Sequence, residues 1–267
     1  MLTLDGIVTK VCSIPSLDYS KADEFDNLCA IVKELLTDSG IVVVQLQFED
    51  RSGSTFLKLV EFIGKPEGHN ADGVQVWDIK YNSSIDPEKA ARSLTLRDFP
   101  MHTDAAFDLP PPKYIGLYVV QEDRFGAGIS RFIDGHKLIK KLSLKSLHIL
   151  QSTFFTLQVP EEFRKERAEV HVPLIDSSGN FRYRREIIVD ENCSAMQLAA
   201  LDELEQLLAN PELTSSMFLP TGSLLLVDNG RFLHARSQVL DKERHLLRMR
   251  FQANWNQANK LFKRRSA

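Results

Sequence analysis

Met101-His102-Thr103-Asp104-Ala105-Ala106-Phe107 is the stretch from which the rest of this chain is read. On an extended backbone successive side chains alternate between faces, so His102 and Asp104 point the same way. One imidazole and one carboxylate on one face make two thirds of the 2-His-1-carboxylate ligand set of non-haem iron sites. His-x-Asp recurs by chance, however, and carries weight only with a second histidine and a scaffold to bring it close.

The scaffold is legible on both sides. Upstream, residues 19–39 read as a helix, with Phe25, Leu28, Val32 and Leu35 on one stripe and Gly40 as the stop. Ile41-Val42-Val43-Val44 follows as a buried strand, and residues 54–63 form a second helix ending at Gly64. Residues 67–100 break the pattern. Gly, Asn, Asp and Ser dominate around Val74, Val76, Trp77 and Tyr81, and a long irregular segment just before His102 reads as a lid.

Downstream, residues 114–121 (YIGLYVVQ) are a strand, and the Gly126-Ala127-Gly128 turn leads into another over 129–133. Short helices are expected over 134–150 and strand-like runs over 154–159, 170–174 and 181–189. Ser194 and Gln197 form a capping box before the stripe Leu198, Leu201, Leu204 and Leu208. Buried or extended pieces over 223–227, 232–235 and 246–255 complete the chain. Short strands with Gly/Pro turns and helices gathered at the front predict a mainly β fold: a double-stranded β-helix, or cupin-like jelly roll, with flanking helices. One domain over 1–267 is expected, with 67–100 as its lid-like segment.

Composition sets the limits. With 43% hydrophobic and 26% charged residues, the 267-residue chain can bury a core of its own. A net charge of −3 gives no electrostatic footprint for nucleic acid. The basic tail over 260–265 reads as a solvated end. Cys12, Cys29 and Cys193 are too scattered for a disulfide framework or a structural zinc site, and neither a leader nor a membrane span is evident. The expectation is a soluble cytoplasmic protein with a small-molecule partner, engaging neither nucleic acid nor membrane, with a homo-oligomer left open.

Of seven histidines, His234 stands out, on an extended piece after a buried strand and the tight turn Asp228-Asn229-Gly230. A jelly roll can bring such a late strand beside an earlier one. Arg248 lies 14 positions on (248 − 234), inside the apolar run Leu246-Leu247-Arg248-Met249. A buried guanidinium is costly unless paired, and it suits a carboxylate best. Arg250 faces the same way, and Ser130, 28 positions after His102 (130 − 102), offers a hydroxyl to the same carboxylate.

With these pieces in order, the chain resembles the taurine dioxygenase/clavaminate synthase-like family of Fe(II)- and 2-oxoglutarate-dependent oxygenases. The resemblance rests on Gly40–Val44, Phe62–Pro66, Met101–Asp104, Ala127–Ser130, Asp228–Arg236 and Arg244–Arg248. It implies that His102, Asp104 and His234 hold Fe(II), and that Arg248 and Ser130 bind the distal carboxylate of 2-oxoglutarate, with Arg244 competing for the arginine role. Ser130 stands where the family usually has threonine, and Ala127 departs from its Gly-Gly-x-Thr motif; serine keeps the hydroxyl. O2 would be the third reactant, succinate and CO2 the co-products, and hydroxylation the usual outcome. The presence of Asp104 argues against halogenation, whereas desaturation and ring closure begin the same way.

For the substrate the candidates are Trp77, Phe107, Arg182, Arg184 and Arg250, implying a small carboxylate-bearing molecule such as an amino acid or its derivative. Core packing is an equal reading for the two aromatics, and a solvated strand face is the favoured one for the 182–185 cluster. Two other classes stay open: a cupin-like metal isomerase or hydrolase that does not use 2-oxoglutarate, and a β-sandwich binding protein with structural histidines.

Overall fold

The computed structural model describes residues 14–21, 23–84 and 91–253. In chain order these form β1 (Ser16–Tyr19), α1 (Phe25–Ser39), β2 (Ile41–Leu46), α2 (Ser54–Ile63), β3 (Gly64–Glu67) and β4 (Trp77–Lys80). Then come β5 (Phe99–His102), β6 (Tyr114–Gln121), β7 (Ser130–Asp134), α3 (Gly135–Ile139), α4 (Leu144–Ser152), β8 (Phe155–Gln158) and β9 (Glu169–Val172). The chain continues through α5 (Ala195–Leu208), β10 (Ser215–Met217), β11 (Ser223–Asp228), β12 (Phe232–Arg236) and β13 (His245–Ala253).

Two sheets build the jelly roll. The larger runs β1-β2-β11-β6-β13-β3 with β4 also on β13; the smaller runs β10-β7-β12-β5. Strand alternation divides the apolar runs between two layers. Ile41 and Val43 of β2, Ile115 and Val119 of β6, and Leu225 and Val227 of β11 face Phe132 and Phe232 of the smaller sheet. Val42, Val44, Tyr118, Leu224 and Leu226 face α1 and α2. Both faces are covered, which is why β2 reads as an unbroken apolar run. Gly116 lets α2 sit directly on the sheet, since a Cβ there would lie 2.7 Å from Phe56 Cε2. A third apolar cluster joins β8, β9, α4 and α5 to the segment after Asp104.

Helix ends follow the sequence signals. Gly40 closes α1 at φ 73°, a left-handed conformation that glycine adopts without a Cβ penalty, and its N–H donates to Leu36 O. The capping box at Ser194 forms, with both reciprocal hydrogen bonds.

Three expectations are corrected. α1 begins at Phe25, because residues 16–19 pair in parallel with β2, Tyr19 opposite Leu46. The segment 67–100 is not irregular throughout: Trp77–Lys80 pairs with His245–Arg248 of β13, which fixes it to the larger sheet, and Arg92–Leu94 forms a 3-10 turn. Residues 181–189 form no strand. They make isolated contacts instead: Phe181 N–H to Gly230 O, Arg182 N–H to Leu174 O, single bridges from Arg184 to His102 and from Ile188 to Leu157, and a 3-10 turn at Arg185–Ile187. Cys12, residues 85–90, the end of the last strand at 254–255 and the basic tail lie outside the described residues. Among the described residues, no helix is long and apolar enough to cross a membrane.

Candidate active site

β5 and β12 lie side by side in the smaller sheet, with His102 directly opposite His234. Their rings are 4.4 Å apart between centroids. Asp104 lies just past the end of β5, where the chain turns through Ala105 at φ 49°. Asn229 fixes that turn. The Asp104 N–H donates to Asn229 Oδ1 (2.7 Å), and Asn229 Nδ2 donates to the carbonyls of Asp104 and Pro112, both at 3.0 Å. Asn229 reads in the sequence as a turn residue only; that its amide reaches across to Asp104 is a tertiary fact.

His102, Asp104 and His234 bring one ligand atom each to within 4.8 Å of one another. Asp104 Oδ1 lies 3.6 Å from His102 Nε2 and 3.9 Å from His234 Nε2. Adjacent ligands of an octahedral ion at about 2.1 Å sit about 3 Å apart, so a small closure completes the face. The tautomers fit a metal as well. The Nδ1 atoms of His102 and His234 lie 2.8 and 3.4 Å from the carbonyls of Pro100 and Phe232, which only accept. Each Nδ1 therefore carries the proton, and each Nε2 presents a lone pair. Three acceptor atoms facing one another repel unless a cation stands between them, and Asp104 Oδ2 is buried with no partner.

The charges agree. Burial, then the neighbouring His234, press His102 down to about 4, which leaves it neutral at neutral pH. Burial pushes the Asp104 carboxyl up, but the Arg248 guanidinium draws it down, and the group lies well below the usual carboxylate range.

Above the triad a cavity of about 70 Å³ runs between the sheets, walled by Ile115, Leu117, Leu225, Val227 and Leu246. Ser130, Arg236 and Arg244 also line it. Arg244 passes beside Gly128, its Nε 3.1 Å from where a Cβ would stand, so glycine makes room for the guanidinium. Burial pushes Arg244 down to about 10. Arg248, by contrast, turns to the triad, with Nη1 donating to Asp104 Oδ1 at 3.1 Å.

On the other side of the triad is a space of about 20 Å³, lined among others by Phe107, Phe163, Arg184, Arg248 and Arg250. Arg250 is 2% exposed, stacks on Phe163, and has an Nε without a partner. Its Nη1 lies 3.5 Å from His69 O and 3.7 Å from Asp108 Oδ2. Burial, then the Arg248 charge, push Arg250 down to about 10. Arg184 reaches this space but is paired with Glu186 and lies over Phe99. Arg182 is half-buried near Asp108 and outside the space. Trp77 packs against His69 and Phe163, one layer behind. His69, Asp108 and Phe163 were not singled out by the sequence, and nothing around Phe163 in Glu161-Glu162-Phe163 marks it as a wall of the site.

A sequence profile of the taurine catabolism dioxygenase TauD, TfdA family matches residues 8–250. Among solved structures, asparagine oxygenase with Fe(II), 2S,3S-3-hydroxyasparagine and succinate superposes with a TM-score of 0.71 at 18% identity, covering 85% of this chain and 79% of that one. The non-heme iron oxygenase OrfP with Fe, succinate and (3S)-hydroxy-L-Arg gives 0.68 at 17% identity, covering 88% and 82%. OrfP with Fe and alpha-ketoglutaric acid gives 0.67 at 16%, with the same coverage. A search of curated protein sequences finds no significant relative.

Proposed function

Since this chain belongs to the taurine catabolism dioxygenase TauD/TfdA family and is an Fe(II)- and 2-oxoglutarate-dependent dioxygenase, we propose that it hydroxylates a small amino acid or amino-acid-derived metabolite. One domain carries the reaction, in keeping with the profile match over 8–250. The observation that carries the site assignment is the convergence of three acceptor atoms, from His102, Asp104 and His234, at one end of a cavity with cationic and hydroxyl donors at the other.

His102, Asp104 and His234 hold the iron. Bound there, iron(II) with 2-oxoglutarate and O2 supplies the oxidant for C–H cleavage, and succinate and CO2 leave. Arg244 and Ser130 take the distal carboxylate of 2-oxoglutarate, because they share the far end of the cavity while Arg248 is committed to Asp104. Arg248 keeps Asp104 ionised and oriented.

Arg250 receives the substrate carboxylate. Its Nε is unpartnered, its contact with the Asp108 carboxylate is a long 3.7 Å, and it faces the space beside the iron ligands. Phe107 and Phe163 stack at 5.7 Å and shape the apolar wall. Arg184 is left as the ion partner of Glu186, and Arg182 stands near Asp108, outside the space. The scattered thiols Cys29 and Cys193 agree with a reducing cytoplasm.

The test is an anaerobic titration with Fe(II) and 2-oxoglutarate, followed by visible absorption. A weak charge-transfer band is expected, absent in His102→Ala; no band with the intact chain overturns the assignment. Succinate release screened across free amino acids then identifies the substrate, and Arg250→Ala is expected to raise its KM more than it lowers kcat.

A further inference from the structure

Two guanidiniums face the far end of the cavity. Arg236 lies directly opposite Ser130 in the β12–β7 ladder, so the two side chains share the inner face of the smaller sheet. Arg236, Ser130 and Arg244 all line the cavity, and of the surrounding charges Arg244 acts most strongly on Arg236. The Arg236 plane is fixed from behind, where Nη2 donates to Thr95 O at 3.1 Å and to Arg97 O. Its Nε is buried and has no partner.

No carboxylate among the described residues closes this pair of charges. Asp123, the acid whose charge acts on Arg244, is occupied by the N–H groups of Phe125, Leu240 and Asp241. Asp98, the acid near Arg236, is engaged by Arg92. Two like charges withdrawn from water without a counter-ion are unfavourable, and an anion between them reverses the sign. A carboxylate offers about four lone-pair positions, enough for Arg244, the Ser130 hydroxyl and one more donor.

We propose that Arg236 is a second arginine of the 2-oxoglutarate subsite, donating through its free Nε to the distal carboxylate beside Arg244 and Ser130. The proposal rests on the cosubstrate reading above. It makes the far end a selector for a 2-oxo acid with a distal carboxylate. Arg236 is also a strut for the loop at Thr95–Arg97, and the experiment must separate the two roles.

The comparison is between 2-oxoglutarate and 2-oxobutyrate, which lacks the distal carboxylate. Dissociation constants come from the anaerobic iron band, and thermal stabilisation by each acid gives a second readout. The intact chain is expected to favour 2-oxoglutarate, and Arg236→Gln to narrow that preference by roughly tenfold or more with iron affinity unchanged. Arg236→Lys, which keeps the charge and a donor for the Thr95 carbonyl but lacks the Nε fork, is expected to fall between them. A lower melting temperature with the preference kept within about twofold in either variant means a strut only and overturns the proposal. No band with either acid in the intact chain overturns it together with the cosubstrate reading.

Discussion

The two ends of the cavity between the sheets are built from opposite kinds of atom. At one end His102 Nε2, His234 Nε2 and the Asp104 carboxylate are acceptors, converging within 4.8 Å. At the other end Arg236, Arg244 and Ser130 present donors. Each end is unsatisfied alone, one calling for a cation and the other for an anion, and apolar strand residues line the space between them. A dicarboxylate that chelates the cation and reaches the donors satisfies both. The contrast also teaches how each end is held: the acceptor end by backbone carbonyls and one asparagine, the donor end by glycine making room and by ladder register.

The largest effect is expected from breaking the acceptor end. His234→Ala should abolish iron retention and succinate formation, a loss beyond the roughly 10- to 100-fold that removing an outer-shell partner costs; metal content and coupled oxygen uptake measure it. Breaking the donor end with Arg244→Gln should leave iron binding intact and weaken 2-oxoglutarate by about 1.5–3 kcal/mol, roughly 10- to 150-fold in Kd. If iron affinity falls as well, the ends are not independent and the contrast fails. Asn229→Ala, which strips three hydrogen bonds from around Asp104 and its turn, should cost about tenfold in iron affinity while 2-oxoglutarate affinity per iron-loaded site holds.

A smaller effect is expected behind the arginine strand. His69 is fully buried with Nε2 at 3.2 Å from Arg248 O, and burial, then Arg248 and Arg250, push it from 6.5 down to about 2. Below pH 6.5 the unfolded chain therefore takes up a proton that the native chain refuses, and stability falls as pH drops toward about 2. His69 should contribute about 1.4 kcal/mol per pH unit to that slope. His69→Gln should reduce the slope of melting free energy between pH 6 and 4.5, roughly by that amount; an unchanged slope would show that the imidazole is not the group refusing the proton. Smallest of all, Arg184→Ala should change substrate KM by no more than about twofold, because its charge is already spent on Glu186.

Much of this was readable before any fold was known. Period two placed His102 beside Asp104 and Arg248 beside Arg250, and the same rule, applied to His234-Ala235-Arg236, would have found Arg236. Gly40, Gly64 and the Ser194–Gln197 box marked helix ends correctly, because caps are local. What failed was non-local. Residues 181–189 carry strand-like residue types, yet beside β5 they make only Tyr183's hydrogen bonds with Thr103 and the single bridge from Arg184 to His102, not a ladder. Trp77 sits in a segment that looks irregular until β13 supplies its partner.

The sequence by itself determined that His102 and Asp104 share a face, and the layered β architecture, since residue type and spacing act over a few positions. Only the tertiary structure separated the arginines by their surroundings. Arg244, Arg248 and Arg250 sit within seven residues, but Arg248 meets Asp104, Arg250 lies over Phe163, and Arg244 runs past Gly128 to the far end. Charge assigns no role until packing shows which carboxylates are already taken.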